Sequence, residues 1–183
     1  MLHGSVIING MAKTVDLLRH TESEGDALTQ DGVRAAVALG GRLTGRYDLL
    51  VSSGAQRTTQ TLACVLAGSG QRVAGGVTVE TGFRSAVEDR WREAAKRASG
   101  KDLEAFRQAD PELVEKESTL LGSVLRNLFD RLPENGRALV AGHSPTHEAA
   151  VLGLCGQLVQ PLAKGAGVRV VREGAAYRVE PLG

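Results

Sequence analysis

The sequence predicts an α/β domain: a three-layer α/β/α sandwich with a mostly parallel central sheet and a C-terminal hairpin. Three observations predict it. Short β-branched or leucine runs alternate with longer segments of helical period from Lys13 to Leu154, the pattern of a sheet covered on both faces. Polar loops carrying histidine or arginine follow the first, second and fourth of these runs. The chain then ends in Val168 to Val171 and Tyr177 to Glu180, joined through Glu173-Gly174, which reads as a hairpin and gives the sheet a mixed edge.

The elements follow in order. Lys13 to Leu18 is a short apolar run and reads as a buried strand. Thr29 caps a helix over Gln30 to Thr44, whose expected buried stripe is Val33, Ala36, Val37, Gly40 and Leu43. Tyr47 to Ser52 is the second strand, and Arg57 to Leu66 a helix ended by Gly68-Ser69-Gly70. Val77 to Glu80 is a third, weaker strand. Trp91 to Ala98 and Leu103 to Gln108 read as short helices of an insertion over residues 85–110. Asp110 caps a long helix to about Arg131, with Pro111 at the first helical position, where a missing N–H costs little. Arg137 to Ala141 is the fourth strand and Pro145 to Leu154 the helix behind it. No repeat, low-complexity tract or linker divides the chain, so residues 1–183 read as one domain. Met11 directly precedes the first strand, and residues 1–10, with His3, read as an extension the fold can dispense with.

Composition narrows the function. At 183 residues the chain suits one full core, and its 42% apolar content is ordinary for a globular protein. Aromatics are only 3%, so Ala, Val and Leu must fill the interior. Lys plus Arg total 22 against 21 Asp plus Glu, which leaves no net field to recruit nucleic acid or an acidic membrane. Any anion site must be local. No apolar run is long enough to span a bilayer, and the N-terminus lacks the basic start and apolar stretch of a secretory signal. Cys64 and Cys155 sit in apolar runs without metal-ligand spacing and are expected to be reduced core residues of a cytoplasmic protein.

Three motifs carry chemistry: Leu17-Leu18-Arg19-His20-Thr21-Glu22, Ser52-Ser53-Gly54-Ala55-Gln56-Arg57-Thr58-Thr59-Gln60-Thr61, and Ala141-Gly142-His143-Ser144-Pro145. Each begins where a parallel strand ends, and open α/β sheets bind ligands at the carboxyl ends of their strands. Residues 19–20, 57 and 143 therefore converge. A neutral imidazole is a competent nucleophile toward phosphorus. Arginine forks match phosphate oxygens, and phosphoryl transfer is mostly a matter of positioning and charge. His20 is thus the expected nucleophile, with Arg19, Arg57 and His143 around the phosphate, the last adding a further donor if protonated. Thr21 and Ser144 are further phosphate or substrate ligands, the latter beside the helix N-terminus at Pro145. No metal and no cofactor are called for. His147 lies four residues after His143, a zinc-helix spacing, but no third ligand completes a site. It is expected at the surface or the pocket rim. Glu148 is either a helix-surface charge or a partner orienting a catalytic group. Trp91 and Phe83 either form a lid or pack beneath the insertion.

The ordered set resembles the signatures of the histidine phosphatase superfamily, the phosphoglycerate mutase-like proteins. Arg19-His20-Thr21-Glu22 is similar to its Arg-His-Gly-Glu motif, Ser52 to Thr61 to its Ser-Ser, Arg and Gln-Thr motif, and Ala141 to Pro145 to its Gly-His motif. The resemblance runs from about Lys13 to the final hairpin. It implies a three-layer fold, a phosphohistidine at His20, and Arg19, Arg57 and His143 around the phosphate. Two departures stand out. Thr21 replaces the usual glycine. Where many branches carry Leu-Arg-Glu with a glutamate general acid, this chain has Gly82-Phe83-Arg84-Ser85, and no aspartate follows His143. Glu88, then Asp89, are the nearest replacement proton donors. The Gly-His-x-Pro-x-x-Glu pattern, Gly142 to Glu148, and the compact length resemble the small phosphohistidine phosphatases, whose phosphoramidate substrate can leave already protonated. The resemblance implies a metal-independent hydrolase acting on a small phosphorylated metabolite or a phosphoprotein. A mutase-like phosphotransferase and a phosphate- or protein-binding pseudoenzyme are the alternatives.

Overall fold

The computed structural model describes residues 12–182. The N-terminal extension, with His3 and the start at Met11, lies outside the described residues. In chain order the elements are β1 (Ala12–Arg19), a ribbon of β2 (Ser23–Glu24) and β3 (Ala27–Leu28), α1 (Gln30–Arg42), β4 (Leu49–Ser52), α2 (Gln56–Ser69), β5 (Val77–Val79), a 3-10 turn (Thr81–Phe83), α3 (Glu88–Arg97), α4 (Leu103–Ala109), α5 (Pro111–Arg131), β6 (Arg137–Gly142), α6 (Thr146–Cys155), β7 (Gly167–Glu173) and β8 (Ala176–Pro181).

The central sheet has the order β5-β4-β6-β1-β7-β8. Its first four strands run parallel, and β7 and β8 are antiparallel, as the closing hairpin predicts. Strand alternation divides the core. Val15, Leu17, Val51, Ala138 and Val140 face α5 and α6, while Leu18, Leu50, Leu139 and Ala141 face α1 and α2. Register brings the working ends level: Arg19 pairs with Gly142, and Ser52 with Ala141. The ladder continues into the loops, with the His20 N–H donating to the Gly142 carbonyl at 3.1 Å and the Ser53 N–H to the Ala141 carbonyl at 3.1 Å.

The helix caps fall at the residues the sequence singles out. Thr29 accepts from the Gly32 N–H at 3.1 Å, and Asp110 accepts from the Leu113 N–H at 3.1 Å with Pro111 following. Gly70, at φ 64°, ends α2. One face differs from expectation. Val33 and Val37 of α1 are exposed, and the buried residues are Gly32, Ala36, Leu39 and Gly40. The reason is close packing against α2. A Cβ on Gly40 would overlap the Val65 carbonyl, and one on Gly68 the Val37 carbonyl. The helices meet on small residues, and the valines are pushed outward. Gly122 and Gly153 bring α5 and α6 together in the same way. Cys64 and Cys155 are free thiols at the margin of the core, half-buried rather than enclosed.

The insertion forms α3 and α4. Arg90 grips Asp110 with two bonds of 2.8 and 2.7 Å, and the Trp91 and Phe106 rings meet edge-on at 5.7 Å. At the other end of the sheet from the histidines, Asp16 is fully buried. It accepts from Arg137 Nη2 at 2.6 Å, Arg169 Nε at 2.8 Å and the Tyr47 hydroxyl at 2.7 Å. Among the described residues, no helix is long and apolar enough to cross a membrane.

Candidate active site

The three motif loops converge at the carboxyl end of the sheet. Arg19, His20, Arg57 and His143 all line one cavity of about 560 Å³, with Ser144 and Pro145 beside them and the insertion's Ser85, Glu88, Trp91, Lys101 and Phe106 opposite. The His20 and His143 rings stand edge-to-face, with centroids 5.4 Å apart.

His20 is buried, and its Nδ1 lies 2.7 Å from the Thr21 carbonyl oxygen. A carbonyl only accepts, so Nδ1 carries the proton and Nε2 keeps its lone pair. Burial lowers the pKa of this imidazole. The bond to Thr21 works the other way, and the charges of Arg57 and Arg19 lower it again. The net effect keeps the ring neutral.

His143 is fixed from two sides. Arg57 Nη2 donates to its Nδ1 at 3.4 Å, and its Nε2–H faces the Ser53 hydroxyl at 3.1 Å. Burial, followed by the charges of Arg57 and His20, pushes its pKa down to about 3. The His143 ring is therefore neutral near pH 7.

The arginines are anchored and keep donors free. Arg57 Nη1 binds Asp26 at 2.8 Å. Burial raises the Asp26 carboxyl, but the Gln56 N–H and the Arg57 charge outweigh it and hold it below the ordinary range. Arg19 Nη1 donates to the Leu162 carbonyl at 2.6 Å, and its buried Nε has no partner. Leu162 is also held through its N–H, 2.9 Å from Glu148 Oε1, and the same oxygen accepts from the Ser144 hydroxyl. Glu148 is thus buried, not a surface charge. It ties the Arg19 side to the His143 loop.

Several sequence expectations are corrected. Thr21 spends its hydroxyl on the Gly32 carbonyl at 2.8 Å and is absent from the cavity lining, because its side chain turns toward α1. Ser144 lines the cavity, but its hydroxyl is committed to Glu148. His147 is fully buried, not at the rim. Its Nε2 meets the Leu18 carbonyl at 3.1 Å, and its ring packs where a Gly142 Cβ would stand, 2.6 Å from Cε1. Phe83 is core, while Trp91 is both packed and cavity-lining. Glu88 lines the cavity with Oε1 bound to Arg84 Nε at 2.6 Å. Asp89 is 91% exposed and pairs with Arg92. Asp26 and the Leu162 carbonyl carry no sequence signal that marks them as positioning groups, and Ser53 is marked only as part of the Ser-Ser motif.

The buried histidines make acid lability a direct expectation. His147 is pushed down to about 4 by burial, and His143 to about 3. Both titrate near 6.5 when unfolded. Below that value the unfolded chain binds more protons, so stability present above pH 6.5 is lost as pH falls toward 4. The slope is about 1 kcal/mol per pH unit for each histidine that stays neutral. Burial raises the Glu148 carboxyl, which acts in the opposite sense but is one group against three lowered imidazoles. Urea unfolding between pH 7 and 5 should show a falling midpoint; a flat midpoint would contradict it.

Comparison with known proteins agrees with this architecture. No protein-family model and no curated protein matches the chain. Among solved structures, phosphoglycerate mutase from Bacillus anthracis superposes with a TM-score of 0.70 at 18% identity, covering 94% of this chain and 93% of that one. A histidine-to-alanine variant of phosphoserine phosphatase from Entamoeba histolytica, in complex with phosphoserine, gives 0.65 at 15% identity over 91% and 94% of the two chains. Alpha-ribazole phosphatase from Shigella flexneri gives 0.65 at 16% identity over 92% and 95%.

Proposed function

We propose that this chain, which has the phosphoglycerate mutase-like fold of the histidine phosphatases, is a metal-independent phosphatase that works through a phosphohistidine on His20. The observation that carries this reading is the contact of His20 Nδ1 with a backbone carbonyl. Its Nδ1 is 2.7 Å from the Thr21 carbonyl, which leaves an unprotonated Nε2 as the nucleophile in a cavity also lined by Arg19, Arg57 and His143.

In the first step His20 Nε2 attacks phosphorus in line, forming a P–N bond as the bond to the leaving oxygen or nitrogen breaks. The free Arg19 Nε, Arg57 and His143 take the equatorial oxygens, where charge accumulates. A bound dianion offsets the Arg57 charge and favours the imidazolium of His143. Water then attacks phosphorus, the P–N bond breaks, and inorganic phosphate leaves with His20 restored.

Glu88 is the proton donor in this scheme, because it is the one carboxyl among the described residues that line the cavity. Glu88→Gln should lower kcat on alkyl phosphates by about 10²-fold or more, with little change on phosphoramidates, whose leaving nitrogen arrives protonated. An equal loss on both classes would remove Glu88 from that role. The reading itself is tested by phosphate release from a panel of phosphomonoesters and phosphoramidates in EDTA, with His20→Ala as the blank. Release that needs added metal, or none on any member, would overturn it.

A further inference from the structure

We propose that Glu148 is a positioning residue of the phosphate site, one that sets Arg19 and the His143 loop in register by accepting hydrogen bonds on a single oxygen rather than by pairing its charge. The kinetic part of that role rests on the phosphatase reading, and the binding part needs only an anion among the arginines. Glu148 sits in the first turn of α6, is 2% exposed and does not line the cavity. Its Oε1 nevertheless reaches both flanks of the site. It accepts from the Leu162 N–H at 2.9 Å and from the hydroxyl of Ser144, the residue that follows His143. The Leu162 carbonyl in turn accepts from Arg19 Nη1 at 2.6 Å.

The hold on Leu162 matters because little else fastens that stretch of chain. From Gln157 to Pro161 there is no helix or strand and, among the described residues, no hydrogen bond. Leu162 is where the chain is first fastened again after α6, and the adjoining Pro161 lines the cavity. Without an acceptor at Oε1 the N–H of the buried Leu162 is left unpaired, and the carbonyl that orients the Arg19 fork loses its mooring. The charge of Glu148 has no comparable use. Oε1 meets an N–H and a hydroxyl, Oε2 is buried with no partner, and among the described residues no arginine or lysine pairs with either oxygen. Burial pushes the carboxyl pKa up, which suits a group that serves as an acceptor. A glutamine carbonyl accepts two hydrogen bonds as this oxygen does. Aspartate keeps the charge but is one methylene shorter and draws the acceptor back from Leu162.

Those two variants cross over, which makes the test sharp. Inorganic phosphate is titrated by calorimetry into the full chain and each variant, and kcat/KM is measured on 4-nitrophenyl phosphate. Glu148→Asp should weaken phosphate by about tenfold and lower kcat/KM by at least as much, the worth of one misplaced charge-assisted contact. Glu148→Gln should stay within about threefold of the unmodified protein in both quantities. A double-mutant cycle on phosphate affinity separates positioning from a general loosening of the fold. Adding Glu148→Asp to Arg19→Ala should cost less than about twofold more, because the contact it misplaces is already gone. Circular dichroism checks each variant, and Glu148→Met, which removes the acceptor at similar bulk, takes the place of Glu148→Asp if that protein does not fold. The reverse crossover, with Gln weak and Asp intact, would overturn the proposal, as would a tenfold loss that multiplies in full onto Arg19→Ala or no loss in any variant. The expected phosphate affinities without turnover in any protein would leave the role of Glu148 standing and sink the phosphatase reading instead.

Discussion

His20→Ala protein should release phosphate at least about 10⁴-fold more slowly than the unmodified protein, because removing a nucleophile removes the reaction path rather than one contact along it. The neighbouring groups cannot take over. The lone pair of His143 Nδ1 already accepts from Arg57 Nη2, and Nε2 carries the proton toward Ser53, so the ring can donate to an oxygen but has no free lone pair for attack. His147 is fully buried with Nε2 on Leu18. The binding half of the site survives the substitution, since Arg19 is held by Leu162 and Arg57 by Asp26, not by His20. Affinity for inorganic phosphate should therefore change far less than turnover. Steady-state kinetics together with a phosphate titration separate the two quantities. Turnover within about tenfold of the unmodified protein would remove His20 from the nucleophilic role.

The second large effect concerns stability. Asp16→Asn should destabilise the fold by about 3–5 kcal/mol. Asp16 is fully enclosed on β1, and it neutralises both Arg137 and Arg169, whose side chains are 14% and 27% exposed. It also accepts from Tyr47, whose hydroxyl pKa burial and the Asp16 charge push upward. An amide offers one acceptor and no charge, and leaves two partly buried guanidinium groups without a counter-ion. At this chain length the loss corresponds to a fall of roughly 10 °C in Tm. Calorimetry or urea unfolding reads it directly, and a change below about 1 kcal/mol would show that solvent already carries those charges.

The convergence of the candidate site was legible because its residues stand where strands stop. Arg19-His20 and Gly142-His143 follow apolar β-branched runs, and parallel pairing of such runs places their ends side by side. The positioning groups were not legible. Asp26 reaches Arg57 from a ribbon of two-residue strands, too short for alternation to appear. Leu162 acts through its backbone N–H and carbonyl, which no side chain announces. Hydrophobic period misplaced the inner face of α1 because glycine scores as nothing on such a pattern, yet Gly40 and Gly68 decide how closely α1 and α2 approach. His147 shares a helical spacing with His143, but His143 precedes α6 and the ring of His147 lies beneath Gly142. The sequence offers Glu88 ahead of Asp89 as a candidate proton donor; that Glu88 lines the cavity while Asp89 is 91% exposed is a matter of insertion geometry that spacing does not carry.

The most direct test of the account is rapid acid-free quench of the unmodified protein during turnover of a ³²P-labelled substrate. A phosphohistidine on His20 gives stoichiometric label that is stable in base and lost in acid, mapping to the peptide containing His20. Label on another residue, or turnover with none, would contradict it.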